Sequence, residues 1–132
     1  MIRWIAGALL ALLIWTPNSL AQDEEIIKGK VFHLKKITRQ RRALGRAYYE
    51  FFKADAMKGA VYVLGKGGSD GQKPHDVDEV YYVVRGKAVV LVGKETAQVE
   101  TGSVIYVPAG EEHRFQDIEE DLELLVIFAP GK

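Results

Sequence analysis

The chain has 132 residues, 48% hydrophobic and 27% charged, which suits one compact core and is too little for two. Lysine plus arginine equals aspartate plus glutamate, 18 against 18, so the charge balance gives no support to a nucleic-acid binder or a scavenger of acidic substrates. Cysteine is absent, which excludes disulfides, thiolate nucleophiles and Cys-type zinc sites and leaves His, carboxylate or water to hold any metal.

In chain order, Met1-Ile2-Arg3 supplies one positive charge and Trp4 to Trp15 is an unbroken apolar run of twelve. Thr16-Pro17-Asn18 ends it, and Ser19 and Ala21 put small residues at −3 and −1 of a cut after Ala21. Residues 1–21 therefore read as a secretory signal peptide, with residues 22–132 as the mature domain. The alternative is an uncleaved anchor, but spanning a bilayer takes roughly 20 apolar residues. The expectation is a secreted or periplasmic protein with no stable membrane anchor after cleavage.

Val31–Leu34 reads as a first short strand. Lys35–Arg46 is a basic connection with room for a helical turn, closed by Gly45. From Lys28 to Arg46 there are eight basic residues and no acidic one, read as a solvated face ahead of an anion or headgroup dock. A β pattern then dominates: Arg46–Phe52, Gly59–Leu64, Glu79–Val84, Lys87–Val92, Ala97–Glu100, Ser103–Val107, His113–Gln116 and Leu122–Phe128 are short, rich in Val, Tyr, Phe and Ile, and separated by turn residues. Gly65–Gly71 is a plain loop. Eight or nine short strands in one small domain predict an all-β sandwich or barrel of the double-sheet type.

Two clusters carry the chemistry. The first is Gly67-x5-Lys73-Pro74-His75-x3-Glu79-x6-Gly86, and the second is Gly102-x5-Pro108-x-Gly110-x2-His113-x3-Asp117, with fifteen residues between Gly86 and Gly102. Together they resemble the two motifs of the cupin family, G-x5-H-x-H-x3-E-x6-G and G-x5-P-x-G-x2-H-x3-N, over about Gly45 to Pro130. The resemblance implies a single-domain cupin double-stranded β-helix, a jelly-roll barrel. Two positions depart from the pattern: Lys73 stands where the first histidine would be, and Asp117 replaces the terminal asparagine.

Strand geometry reaches the same residues. Side chains alternate, so positions 73, 75, 77, 79, 81 and 83 share one face of an extended segment, and His113, Phe115 and Asp117 share one face of a second. If both faces look inward, His75, Glu79 and His113 converge as two imidazoles and one carboxylate with open positions for water, substrate or dioxygen. Such N and O ligands suit Fe, Mn, Ni or Zn alike. A lone histidine is more often a hydrogen-bonded structural residue, and His33 is read so. A buried Glu79 without a cation would be costly, which favours a metal.

Lys73 either faces inward, where it would weaken the site or hold an anionic group of a substrate, or snorkels to solvent from a loop. Tyr62, Tyr81, Tyr106 and Phe115 are expected to line the cavity or fill the core. Glu79, Asp117 or a tyrosine is the available general base, and Asp117 could also orient a ligand. Asp76 and Asp78 should point away from Glu79.

The expected function is an exported metal-dependent cupin enzyme acting on a small organic substrate. Dioxygenase chemistry is implied with iron, and isomerase or lyase chemistry with other metals. The alternative is a non-catalytic cupin that binds a sugar or other small ligand. An open-edged sheet invites pairing, so a homodimer is expected.

Overall fold

The computed structural model describes residues 29–130, and the expected signal peptide, residues 1–21, lies outside the described residues. One helix, α1 (Leu34–Ala43), precedes six strands: β1 (Tyr48–Lys53), β2 (Lys58–Leu64), β3 (Val77–Val92), β4 (Glu95–Glu100), β5 (Val104–Val107) and β6 (His113–Pro130). Among the described residues no helix is long and apolar enough to cross a membrane.

The expected strand at Val31–Leu34 is not formed. His33 is instead the N-cap of α1, and Phe32 packs its ring against Phe51 and Phe52, with centroids 5.1 and 5.5 Å away. Local preference decides this: Lys, Arg, Gln, Leu and Ala dominate the stretch and favour helix. Arg41 and Arg42 in the last turn complement the helix dipole. Gly45, at φ +63, ends the helix and donates its N–H to the Arg42 carbonyl at 3.0 Å. The helix lies against β1 and β2 and buries Ile37 alone among its residues.

All strand pairs are antiparallel, in the order β1-β2-β6-β3-β4, with β5 pairing β3. The strands are fewer and longer than expected. Glu79–Val84 and Lys87–Val92 form the single strand β3, and His113–Gln116 and Leu122–Phe128 the single strand β6. These two run side by side from Val77↔Pro130 to Val92↔His113, with register shifts between Val83 and Val89. One half of β3 also pairs with β5 and the other half with β4, so each long strand bends from one sheet into the other. The result is an antiparallel jelly-roll barrel.

Gly86 makes that bend possible. Its φ is +102, and a Cβ there would lie 2.4 Å from the Asp121 carbonyl oxygen and 2.8 Å from Leu122 Cα. The strands touch backbone to backbone at this corner, which only glycine allows. Between the sheets, Tyr81, Val83, Val107, Phe115, Leu122, Leu124 and Val126 are fully buried. Each large apolar side chain placed there contributes about 1.5–3 kcal/mol relative to exposure. Alternation along β3 sends Glu79 and Tyr81 inward with Val83 and leaves Val80 and Tyr82 outside.

Candidate metal centre

His75 sits in the loop just before β3, Glu79 lies within β3, and His113 begins β6. Two hydrogen bonds join the two approaches. The Gly110 N–H donates to the His75 carbonyl at 2.6 Å, and the Ala109 N–H donates to Asp78 Oδ1 at 2.8 Å. The Pro108–Gly110 turn is thereby tied to the start of β3, which brings the two imidazoles to 5.4 Å between ring centroids. Asp78 thus serves as a turn holder, and Asp76 is exposed at the cavity rim.

Ligand atoms of His75, Glu79 and His113 all lie within 4.8 Å of one another. Glu79 Oε1 is 2.5 Å from His75 Nδ1 and 3.5 Å from His113 Nε2. Glu79 and His113 are 1% and 2% exposed, so a carboxyl group is buried with the two imidazoles as its neighbours. His113 Nδ1 is 2.9 Å from the Glu111 carbonyl, an acceptor only, so Nδ1 carries the proton and the Nε2 lone pair faces Glu79. A ring held through one nitrogen by a carbonyl, with the other turned to a cluster, is the usual support of a metal-ligating histidine. Two nitrogens, one carboxylate and that tautomer fit a divalent cation, and this group could hold one.

The Tyr81 hydroxyl joins the cluster. It lies 2.5 Å from Glu79 Oε2, 3.3 Å from His113 Nε2 and 3.1 Å from Gln72 Oε1. Burial, then the bond to Glu79, raises its ionisation far above the usual phenol range, so it stays protonated and donates. His75 and Tyr81 also line a cavity of about 470 Å3, whose walls include Tyr48, Tyr62 and Phe128 and whose rim carries Lys58. Lys58 Nζ stands 4.6 Å from the Phe128 ring centroid and 3.6 Å from Glu50.

Three placements differ from the strand-alternation expectation. Lys73 is exposed and does not line the cavity, which is the solvent-facing loop alternative and not the inward one, because β3 begins only at Val77 and residue 73 belongs to an unpaired loop. Asp117 is exposed and does not share the inner face of His113 and Phe115. Its φ of +47 breaks the alternation, and Ile118, 3% exposed, takes the inner place. Tyr106 is 58% exposed, since the register sets it opposite Val80 on the outer face while its neighbour Val107 faces Glu79. Phe115 is core, and Tyr62 is half-buried against the cavity.

Sequence reasoning passed over two polar residues. Gln72 lines the cavity, and Asp70, from the stretch read as plain loop, accepts hydrogen bonds from Tyr62, Gln72 and the Phe115 backbone. The one available hint is Asp70 itself, the single acidic residue among the loop glycines of 65–71.

A family model described as Cupin domain matches residues 60–128. An uncharacterised protein of Streptomyces coelicolor is 48% identical over 101 residues, covering 76% of this chain and 96% of that protein. An oxalate decarboxylase of Arthroderma benhamiae is 37% identical over 78 residues, 55% of this chain but 18% of that enzyme. Among solved structures, a protein of Thermus thermophilus superposes with a TM-score of 0.62 at 29% identity, covering 76% of this chain and 96% of that one. The chain belongs to the cupin family.

Proposed function

We propose that this cupin is a metal-dependent enzyme that acts on a small, oxygen-bearing organic anion. One observation carries the reading: His75, Glu79 and His113 come together, and His75 also lines a cavity sized for a small molecule. A divalent ion held by the three would act as a Lewis acid toward a substrate oxygen or, as iron, would supply oxygen chemistry.

The chain's own residues define the rest. Glu79 supplies the negative charge of the ligand set, and Tyr81 holds it by a hydrogen bond to its second oxygen. His113 is fixed in one tautomer by the Glu111 carbonyl. Tyr48, Tyr62 and Phe128 give the substrate an apolar wall, and the Lys58 ammonium at the rim suits a carboxylate. The local likeness to a protein named oxalate decarboxylase agrees with a carboxylate substrate and a lyase-type reaction. That likeness spans only 18% of the decarboxylase, so its activity and substrate are carried here as a proposal.

The test is metal content of protein purified without chelators, beside the His75→Ala/His113→Ala double variant, followed by a panel of small carboxylates under air and under nitrogen. Near-stoichiometric metal that is lost in the variant, with turnover by the loaded protein, supports the proposal. Metal or ligand binding without turnover of any substrate would make the protein a non-catalytic small-ligand module instead.

We also propose that the chain is exported by residues 1–21 and pairs with a second copy. The pairing is supported by the outer face of β3 and β5, where Val80, Tyr82, Val104 and Tyr106 are 40–67% exposed. They stand as two cross-strand pairs, Val80↔Tyr106 and Tyr82↔Val104.

A further inference from the structure

The loop ahead of β3 sets one more oxygen beside the Tyr81 hydroxyl, which itself touches Glu79 and His113. Lys73 occupies the place where the motif has its first histidine, and it is exposed; Gln72, one residue earlier, is half-buried and lines the cavity. Asp70 fixes how that carboxamide lies. Its Oδ2 accepts from Gln72 Nε2 at 2.7 Å and from the Phe115 N–H at 2.9 Å. Its Oδ1 accepts from the Tyr62 hydroxyl at 2.9 Å and from the Gln72 N–H at 3.2 Å.

A carboxylate only accepts, so the amide atom facing Asp70 must be the nitrogen, and Oε1 must face the other way. It lies 3.1 Å from the Tyr81 hydroxyl, which is itself 2.5 Å from Glu79 Oε2 and 3.3 Å from His113 Nε2. That hydroxyl has one proton to give, and the charged oxygen at 2.5 Å is the stronger acceptor. Gln72 Oε1 is then a carbonyl oxygen at the edge of the cluster with a lone pair that Tyr81 does not satisfy.

We infer that Gln72 is a fourth protein donor to the metal, with its carboxamide oxygen aimed by Asp70. The inference rests on the proposed metal-dependent reading. A neutral oxygen suits a site that already holds one buried carboxylate, because it adds a donor without adding a second charge to desolvate. Asp70 is a positioning residue: it contacts Gln72 and Tyr62, and its bond to the Phe115 N–H ties the loop to β6 two residues beyond His113.

The experiment is titration of the chelator-treated full chain with Co(II), read as affinity and as the visible ligand-field spectrum. Gln72→Met keeps the length of the side chain and removes the oxygen; Lys73→Ala is the control. The expected result is near-stoichiometric binding by the wild type, at least about tenfold weaker binding with shifted bands in Gln72→Met, and no change in Lys73→Ala. Gln72→Asn, one methylene shorter, is the second variant and is expected to move both readouts in the same direction, which keeps the test decisive if Gln72→Met does not fold. Wild-type affinity and spectrum in the Gln72 variants would overturn this inference and leave the metal reading standing. A wild type that binds no Co(II) would overturn both.

Discussion

Replacing Glu79 with glutamine keeps the shape of the side chain and removes the one carboxylate of the cluster, so it isolates the contribution of charge to metal binding. A ligand that binds only the folded state stabilises it by RT ln(1 + [L]/Kd), about 2.7 kcal/mol when the metal stands at 100 times its Kd. Unfolding entropy near about 2.1 cal/mol/K per residue gives roughly 0.2 kcal/mol/K for the about 100 described residues. Metal should therefore raise Tm by about 13 °C. Loss of an outer partner of a metal ligand already costs about 10- to 100-fold in affinity, so loss of the anionic ligand should cost at least about 100-fold. At the same metal concentration the variant then stands near its own Kd, where the stabilisation is about 0.4 kcal/mol and the shift about 2 °C. Differential scanning calorimetry of chelator-treated wild type and Glu79→Gln, each with and without Mn(II) or Zn(II), reads both numbers. An equal shift in the two proteins would refute the reasoning, since the cation would then bind somewhere other than the His75–Glu79–His113 cluster.

Three further outcomes are expected. Gly86→Ala should destabilise the fold by about 2–4 kcal/mol, because the new Cβ meets the Asp121 carbonyl at 2.4 Å and the residue must keep φ +102; a urea midpoint within error of wild type would count against the corner packing. Alkaline stability should fall between about pH 10 and 12: burial, then Glu50, push the Tyr48 phenol up to about 12 from 10.0, and Tyr62 and Tyr81 are raised further. The folded state holds these protons more tightly, so the stability is complete below about pH 10 and is lost as pH climbs through the folded values. Urea midpoints and phenolate absorbance measured together would expose the failure of this if all six tyrosines titrated normally in the folded chain. Tyr82→Lys/Tyr106→Lys should convert a dimer to a monomer in analytical ultracentrifugation by placing charge on the exposed β3–β5 face; a wild type that sediments as a monomer at all concentrations would end the pairing proposal.

Much of the site was legible because the relevant spacings are short and lie beside paired backbone. His75 and Glu79 are four residues apart at the mouth of β3, and Glu79 and Tyr81 alternate within it, so period two holds and both point inward. The turn residues Pro108 and Gly110 announce the entry to β6 and hence the placement of His113. The all-β barrel follows from the same Val- and Tyr-rich runs. The strand count came out high because glycine and acidic residues read as breaks, whereas Gly86 and the 117–121 stretch bend long strands without ending them.

The misplaced residues share a physical cause. Alternation is a property of hydrogen-bonded strand, and Lys73 lies four residues before the strand begins. Asp117 lies within β6, but at a left-handed residue that swaps the faces, so Ile118 inherits the inner position that period two assigns to 117. Tyr106 depends on the register of β5 against β3, which one-residue slips invert and local sequence does not encode. Asp70 and Gln72 stayed hidden for a related reason. Their roles come from bonds to Tyr62, Tyr81 and Phe115, partners up to 45 residues away on three different strands. A loop that looks featureless by composition can therefore carry the polar support of a buried site, because loop backbone follows no period and places its side chains by individual hydrogen bonds. In this chain the departure from the motif at residue 73 and the oriented carboxamide at residue 72 are neighbours, and the bonds from Gln72 to Asp70 hold the carboxamide at the cavity while Lys73 stays exposed.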